Sequence, residues 1–235
     1  MAKVSKIEIP QLKQTFRVNN LRLTARQKEF LALALSHKTQ IMFISGPAGS
    51  TKTYMAVYAA LRHLSSGDDL DMLYVRTIIE SGDKGLGALP GNIEEKINPY
   101  MAPLEDKLME MLPQSTTDRK ELIETGRIQA MPINYLRGAN WRDKVVVADE
   151  AQNFTFKELV TLITRLGQGS KLFISGDFMQ SDINGRSGFK RMCNLFSDES
   201  SMRKGIEFFQ FTTEDIMRSP LQKYIIQKLE KELSH

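Results

Sequence analysis

The chain has 235 residues, enough to bury one full core, and its 41% hydrophobic and 26% charged content is that of an ordinary globular protein. A net charge of +4 leans toward polyanionic partners without establishing one. The single cysteine, Cys193, excludes an intramolecular disulfide and a cysteine-rich metal site and fits a reducing, cytoplasmic setting. Apolar runs such as Val145 to Ala148 fall far short of the ~20 residues of a membrane span. The basic start, Met1 to Lys6, lacks the apolar core of a signal peptide, so no membrane association is expected.

Residues 1–20 carry Lys3, Lys6, Lys13 and Arg17 without a sustained period and read as an extended arm; residues 21–235 read as one domain. Thr24 with Gln27 three residues later forms a capping box, which predicts a helix from Ala25 through the apolar Phe30, Leu31 and Leu33–Leu35. Ile41–Ser45 reads as a strand, and a run of small residues then opens a helix to about Leu64, stopped by Ser65-Ser66-Gly67. A second strand over 71–76 leads to a glycine-rich loop at 80–91. Helices are expected over 92–112, broken at Pro99 and Pro103, and over 116–125. A brief strand at 127–130 precedes Val145–Ala148, whose unbroken apolar character predicts a strand buried on both faces. A helix over 155–166, a strand over 171–174, a helix near 187–196 and a strand over 206–211 follow. Pro220 opens a terminal amphipathic helix carrying Leu221, Ile225 and Leu229. The alternation of strand and helix predicts an α/β fold, mainly a parallel sheet with helices on both faces.

The segment Gly46-Pro47-Ala48-Gly49-Ser50-Thr51-Lys52-Thr53, between a strand and a helix, has the order of a phosphate-binding loop. Its backbone N–H groups and the helix N-terminus suit an anion, Lys52 would reach the β/γ-phosphates, and the Thr53 hydroxyl would ligate Mg²⁺. The strict pattern asks for glycine at position 51, and this chain has threonine. Four apolar residues ending in Asp149-Glu150 have the layout of a Walker B strand, with Asp149 holding the ion and Glu150 polarising the attacking water. The alternative is an acidic strand-to-helix junction. In parallel sheets ligands bind beyond the carboxyl ends of the strands, which flags Gly176-Asp177 and Gln180; Gln180 is a candidate γ-phosphate sensor or a plain turn residue.

These segments, with Ala151-Gln152, Thr164-Arg165-Leu166-Gly167, Ser187-Gly188, Leu89-Pro90-Gly91, Asn98-Pro99-Tyr100, Leu136-Arg137-Gly138 and Glu214 to Leu221, resemble the PhoH family of phosphate-starvation-inducible ATPases over roughly residues 22–230. The resemblance implies a RecA-like P-loop fold, ATP binding and hydrolysis, an RNA or single-stranded nucleic-acid partner, and a homo-oligomer, possible as a ring. The family's loop usually reads Thr-Gly where this chain has Ser50-Thr51. Glycine there leaves room beside the phosphates, so altered nucleotide affinity is expected.

Gln27 resembles the glutamine that reads adenine in helicase-like ATPases, since an amide suits the N6/N7 edge; it also completes the capping box. Arg76, Arg137 and Arg165 are candidate charge-stabilising arginines, in cis or from a neighbouring subunit, and Arg165 is expected to act in catalysis. The Tyr135–Arg142 stretch could stack on nucleic acid, or Trp141 could simply anchor it in the core. His37, His63 and His235 lack metal-ligand spacing. A nucleotide-dependent assembly module, with Thr51 suppressing hydrolysis, and a P-loop kinase are the competing functions; the paired acids suit water activation better than kinase chemistry.

Overall fold

The computed structural model describes residues 16–66, 70–77, 93–113, 116–136, 141–180, 183 and 185–233. The glycine-rich loop at 80–91, Arg137 and His235 lie outside them, as do residues 1–15 of the expected arm. Six strands, β1 (Ile41–Ser45), β2 (Asp71–Arg76), β3 (Ile128–Pro132), β4 (Lys144–Ala148), β5 (Lys171–Gly176) and β6 (Ile206–Gln210), form one sheet in the order β3-β2-β4-β5-β1-β6. Every neighbouring pair is parallel. This is the expected fold class, and its order has the RecA-like arrangement, with one strand, β5, between the phosphate-loop strand β1 and the acidic strand β4.

Parallel strands buried on both faces must be apolar throughout, and β1 is buried at all five positions. One face is covered by α1 (Ala25–Ala34), α2 (Lys52–Ser65), α3 (Ile93–Met111) and α4 (Thr116–Glu124), through Phe30, Ala56, Leu61, Leu104 and Leu122. The other is covered by α5 (Phe156–Thr164) and α6 (Phe189–Leu195), through Leu159, Leu162, Phe189 and Met192. Phe43 links β1 to β6 by stacking on Phe208, with ring centroids 5.1 Å apart.

Two expected breaks are absent: α3 runs unbroken through Pro99 and Pro103. Each proline removes one amide donor, and the remaining backbone bonds together with burial of Met101, Leu104, Leu108 and Met111 carry the helix through. The short helix α7 (Glu199–Arg203), capped by Asp198 accepting from Ser201 N at 2.8 Å, was not expected. The last helix, α8 (Pro220–Leu233), has the expected amphipathic pattern, yet Leu221, Tyr224, Ile225 and Leu229 are exposed on it. Residues 16–20 carry no regular secondary structure and lie against the domain. Phe16 and Val18 pack on the core, and Asn19 closes the end of α3, donating from its backbone N–H to Met111 O at 2.8 Å and from Nδ2 to Glu110 O and Leu112 O. Among the described residues, no helix is long and apolar enough to cross a membrane.

Candidate nucleotide-phosphate site

The carboxyl ends of β1, β2, β4 and β5 converge on a cavity of about 790 Å³. Its lining brings together Gln27, Ala48, Gly49, Thr51, Lys52, Thr53, Asp149, Glu150 and Gln180 from the sequence-predicted set. Gly46, Pro47 and Ser50 shape the loop from behind. Ser50 is fully buried and its hydroxyl donates to the Pro47 carbonyl at 2.7 Å, while Lys52 Nζ donates to the same carbonyl at 2.7 Å. Gly49 has φ +76°, which favours glycine, and the Arg218 side chain lies close over it, its Nε 2.7 Å from where a Cβ would sit.

Thr51 occupies the start of α2 with φ +66° and ψ +13°, a left-handed conformation that strains a β-branched residue. The glycine of the strict pattern adopts it freely. The threonine hydroxyl accepts from Gln27 Nε2 at 3.1 Å. The capping box is present as expected: Gln27 Oε1 accepts from Thr24 N at 3.0 Å, and Gln27 N donates to Thr24 Oγ1.

Asp149 is buried at the end of β4 and gathers three hydroxyls. Thr53 Oγ1 and Tyr74 OH donate to its two oxygens, and Ser175 Oγ donates to Oδ1 at 3.2 Å. Burial, then the Asp149 charge, pushes the Tyr74 hydroxyl far above its ordinary range, so it stays a donor. Glu150 has φ +55°, another left-handed non-glycine residue, and its carboxylate accepts from Gln152 Nε2 and lies 3.8 Å from Arg76 Nη2. Gln152 Oε1 in turn accepts from Asp177 N at 3.0 Å, tying the β4 and β5 ends together. Asp177 Oδ1 accepts from Met179 N at 2.9 Å, which fixes the turn leading to the exposed Gln180.

Arg165 is not at this cavity. It ends α5, and its carbonyl accepts from Trp141 N at 3.0 Å, just before β4 begins. The five residues of β4 put ~17 Å between that edge and Asp149, so Arg165 does not reach the loop of its own chain. Trp141 is buried while Tyr135 is exposed. Cys193 is buried on α6 and its thiol is pushed up to about 12 by that burial. The residues that sequence reasoning left without roles here are Tyr74, Gln152, Ser175 and Arg218. Gln152 and Arg218 stand inside matched motifs and Ser175 directly precedes Gly176-Asp177, but Tyr74 has no local signal at all: only strand adjacency brings it to Asp149.

The cavity is further walled by Leu21, Arg22, Leu23, Tyr54, Lys107 and Glu110. Burial, then Glu110, pushes the Tyr54 hydroxyl up to about 12. Thr53 and Asp149 offer only hard oxygens, side by side. Mg²⁺ is held by one or two such groups plus water and phosphate oxygens, so the pair fits that ion. Among the described residues, no group of three or more His, Cys, Asp or Glu forms an all-protein metal cage.

A family described as PhoH-like protein matches residues 21–230. The PhoH-like protein of Bacillus subtilis (strain 168) is 36% identical over 209 residues, which is 89% of this chain and 63% of that protein. The PhoH-like protein of Synechocystis sp. is 33% identical over 211 residues, covering 88% and 61%. Protein PhoH of Escherichia coli (strain K12) is 33% identical over 187 residues, covering 77% and 51%. The chain thus spans less than two thirds of the length of each. A crystal structure of Pif1 helicase from Candida albicans aligns with 82% of this chain and 40% of that chain at a TM-score of 0.40 and 15% identity, too distant for anything to be carried over.

Proposed function

The chain belongs to the PhoH-like protein family, and on that premise we propose that it binds ATP with Mg²⁺ at the 46–53 loop, hydrolyses it, and couples turnover to RNA or single-stranded nucleic acid. The observation that carries this reading is the Asp149 carboxylate, buried and bonded to Thr53 Oγ1 directly beside the lysine-bearing loop. That pair supplies the metal-holding oxygens, and the ion when bound neutralises charge on the phosphates.

The remaining roles belong to the chain's own side chains. Lys52 exchanges its Pro47 carbonyl for phosphate oxygens. Glu150 orients water, and Gln152 and Arg76 hold its carboxylate. Gln180 hydrogen-bonds the γ-phosphate, and Arg218, lying over Gly49, adds positive charge where the phosphates pass. Arg165 acts only if a neighbouring subunit presents it. The exposed apolar side chains of α8 support self-association into a homo-oligomer, with a ring as the form that closes.

One observation favours a second reading. Thr51 is strained at the position that abuts the phosphates, which fits a nucleotide-dependent assembly module with little hydrolysis. Phosphate release from ATP and Mg²⁺, measured with and without single-stranded RNA, separates the two. The proposal expects release above an Asp149→Asn control and a rate that rises with RNA. Release equal to that control, in protein that binds ATP, rejects hydrolysis in favour of assembly.

A further inference from the structure

The departure at position 51 reaches a second residue. Reading the adenine edge takes one lone pair of an amide carbonyl for the exocyclic amino group and one N–H for the ring nitrogen, and both must face the base. In this chain the Gln27 amide is anchored at both ends. Oε1 accepts from Thr24 N at 3.0 Å and Nε2 donates to Thr51 Oγ1 at 3.1 Å. The residue is 4% exposed. The first anchor belongs to any capping box of this kind, but the second exists only because position 51 carries a hydroxyl. A glycine at 51, which the left-handed backbone favours, would leave Nε2 without that acceptor.

We propose that Thr51 is a specificity-determining residue that holds the Gln27 amide against the phosphate loop, so that the site accepts purine nucleoside triphosphates with little preference for adenine over guanine. Recognition then rests on the triphosphate, through the loop, Lys52 and the Thr53–Asp149 pair, and the base is held by the Leu21 and Leu23 wall without an edge-reading amide. The inference depends on the nucleotide-binding reading given above. It differs from a mere loss of fit at Thr51, because crowding by a side chain would weaken ATP and GTP alike, whereas a tethered amide alters their ratio.

The test is equilibrium titration of fluorescent ATP and GTP analogues with Mg²⁺ against the wild-type chain, Thr51→Ser, Thr51→Gly and Gln27→Ala. Wild type and Thr51→Ser, which keeps the hydroxyl, are expected to bind the two within about threefold of each other. Thr51→Gly is expected to favour ATP by about tenfold, the scale of one released base-reading hydrogen bond. Gln27→Ala should leave the wild-type ratio unmoved. A tenfold ATP preference in the wild type that collapses in Gln27→Ala overturns the inference, even if Thr51→Gly does not fold. So does a Thr51→Gly protein that binds nucleotide with the wild-type ratio. Binding without the shifted ratio removes this inference alone; no binding of either nucleotide by the wild type removes the nucleotide site with it.

Discussion

At Glu150 the backbone is left-handed, and the carboxylate is steered by Gln152 and Arg76, at the end of a strand whose Asp149 is already committed to Thr53 and Tyr74. Two adjacent acids therefore face different surroundings: Asp149 is buried among hydroxyl donors, and Glu150 stands at the solvent side of the cavity. That division suits one acid to an ion and the other to water. Glu150→Gln keeps the hydrogen-bonding shape and removes the charge. It is expected to lower phosphate release by ~10² or more while leaving nucleotide affinity within a few-fold, the signature of an interaction made mainly in the transition state. An equal loss in binding would assign Glu150 to the loop's architecture. Lys52, Thr53, Asp149 and Glu150 were legible in the sequence because their spacing within a strand–loop–helix unit is itself the signal. Tyr74 was not, because its meeting with Asp149 is made by the β2–β4 pairing, 75 residues apart in sequence.

At the scale of elements, local chemistry decided most boundaries. Thr24 and Thr155 each head a capping box, with Gln27 and Glu158 closing it, so α1 and α5 start where their caps dictate. Only the first was read from sequence. Thr155→Ala removes the acceptor for Glu158 N and one of the two donors to Glu158 Oε2, and should destabilise the chain by about 1 kcal/mol. In thermal unfolding that corresponds to a midpoint lower by about 2–4 °C for a domain of this size; an unchanged midpoint would mean that α5 is held by its packing alone. Proline counting failed at α3 because tertiary burial outweighs the loss of single amide donors. Arg165 failed in a different way. Its motif lies at the C-terminus of a helix that begins at the site edge and ends at the opposite one, a reversal visible only once the helix is laid against the sheet.

For the whole molecule, the sheet order sets the site: β5 between β1 and β4 brings Ser175 to Asp149 and Asp177 to Gln152, and the segment after β6 returns Met217 N to Gly49 O at 3.2 Å, carrying Arg218 over the loop. The alternation of strand and helix made the fold class legible, but the order of strands was not, since it depends on crossovers that no local pattern records. The same segment leads into α8 with its exposed apolar side, so the candidate site and that apolar face share one stretch of chain. Ile225→Asp is therefore expected to shift the light-scattering mass toward monomer in the presence of ATP and Mg²⁺, and a wild-type chain that is already monomeric there would remove the oligomer from the account. The central claim is hydrolysis at the 46–53 loop, and steady-state phosphate release at saturating ATP and Mg²⁺, wild type against Lys52→Ala, tests it most directly. The account predicts release by the wild type at least ~10²-fold above the variant, as loss of a charge that stabilises the transferring phosphate requires; equal release by the two proteins would contradict it.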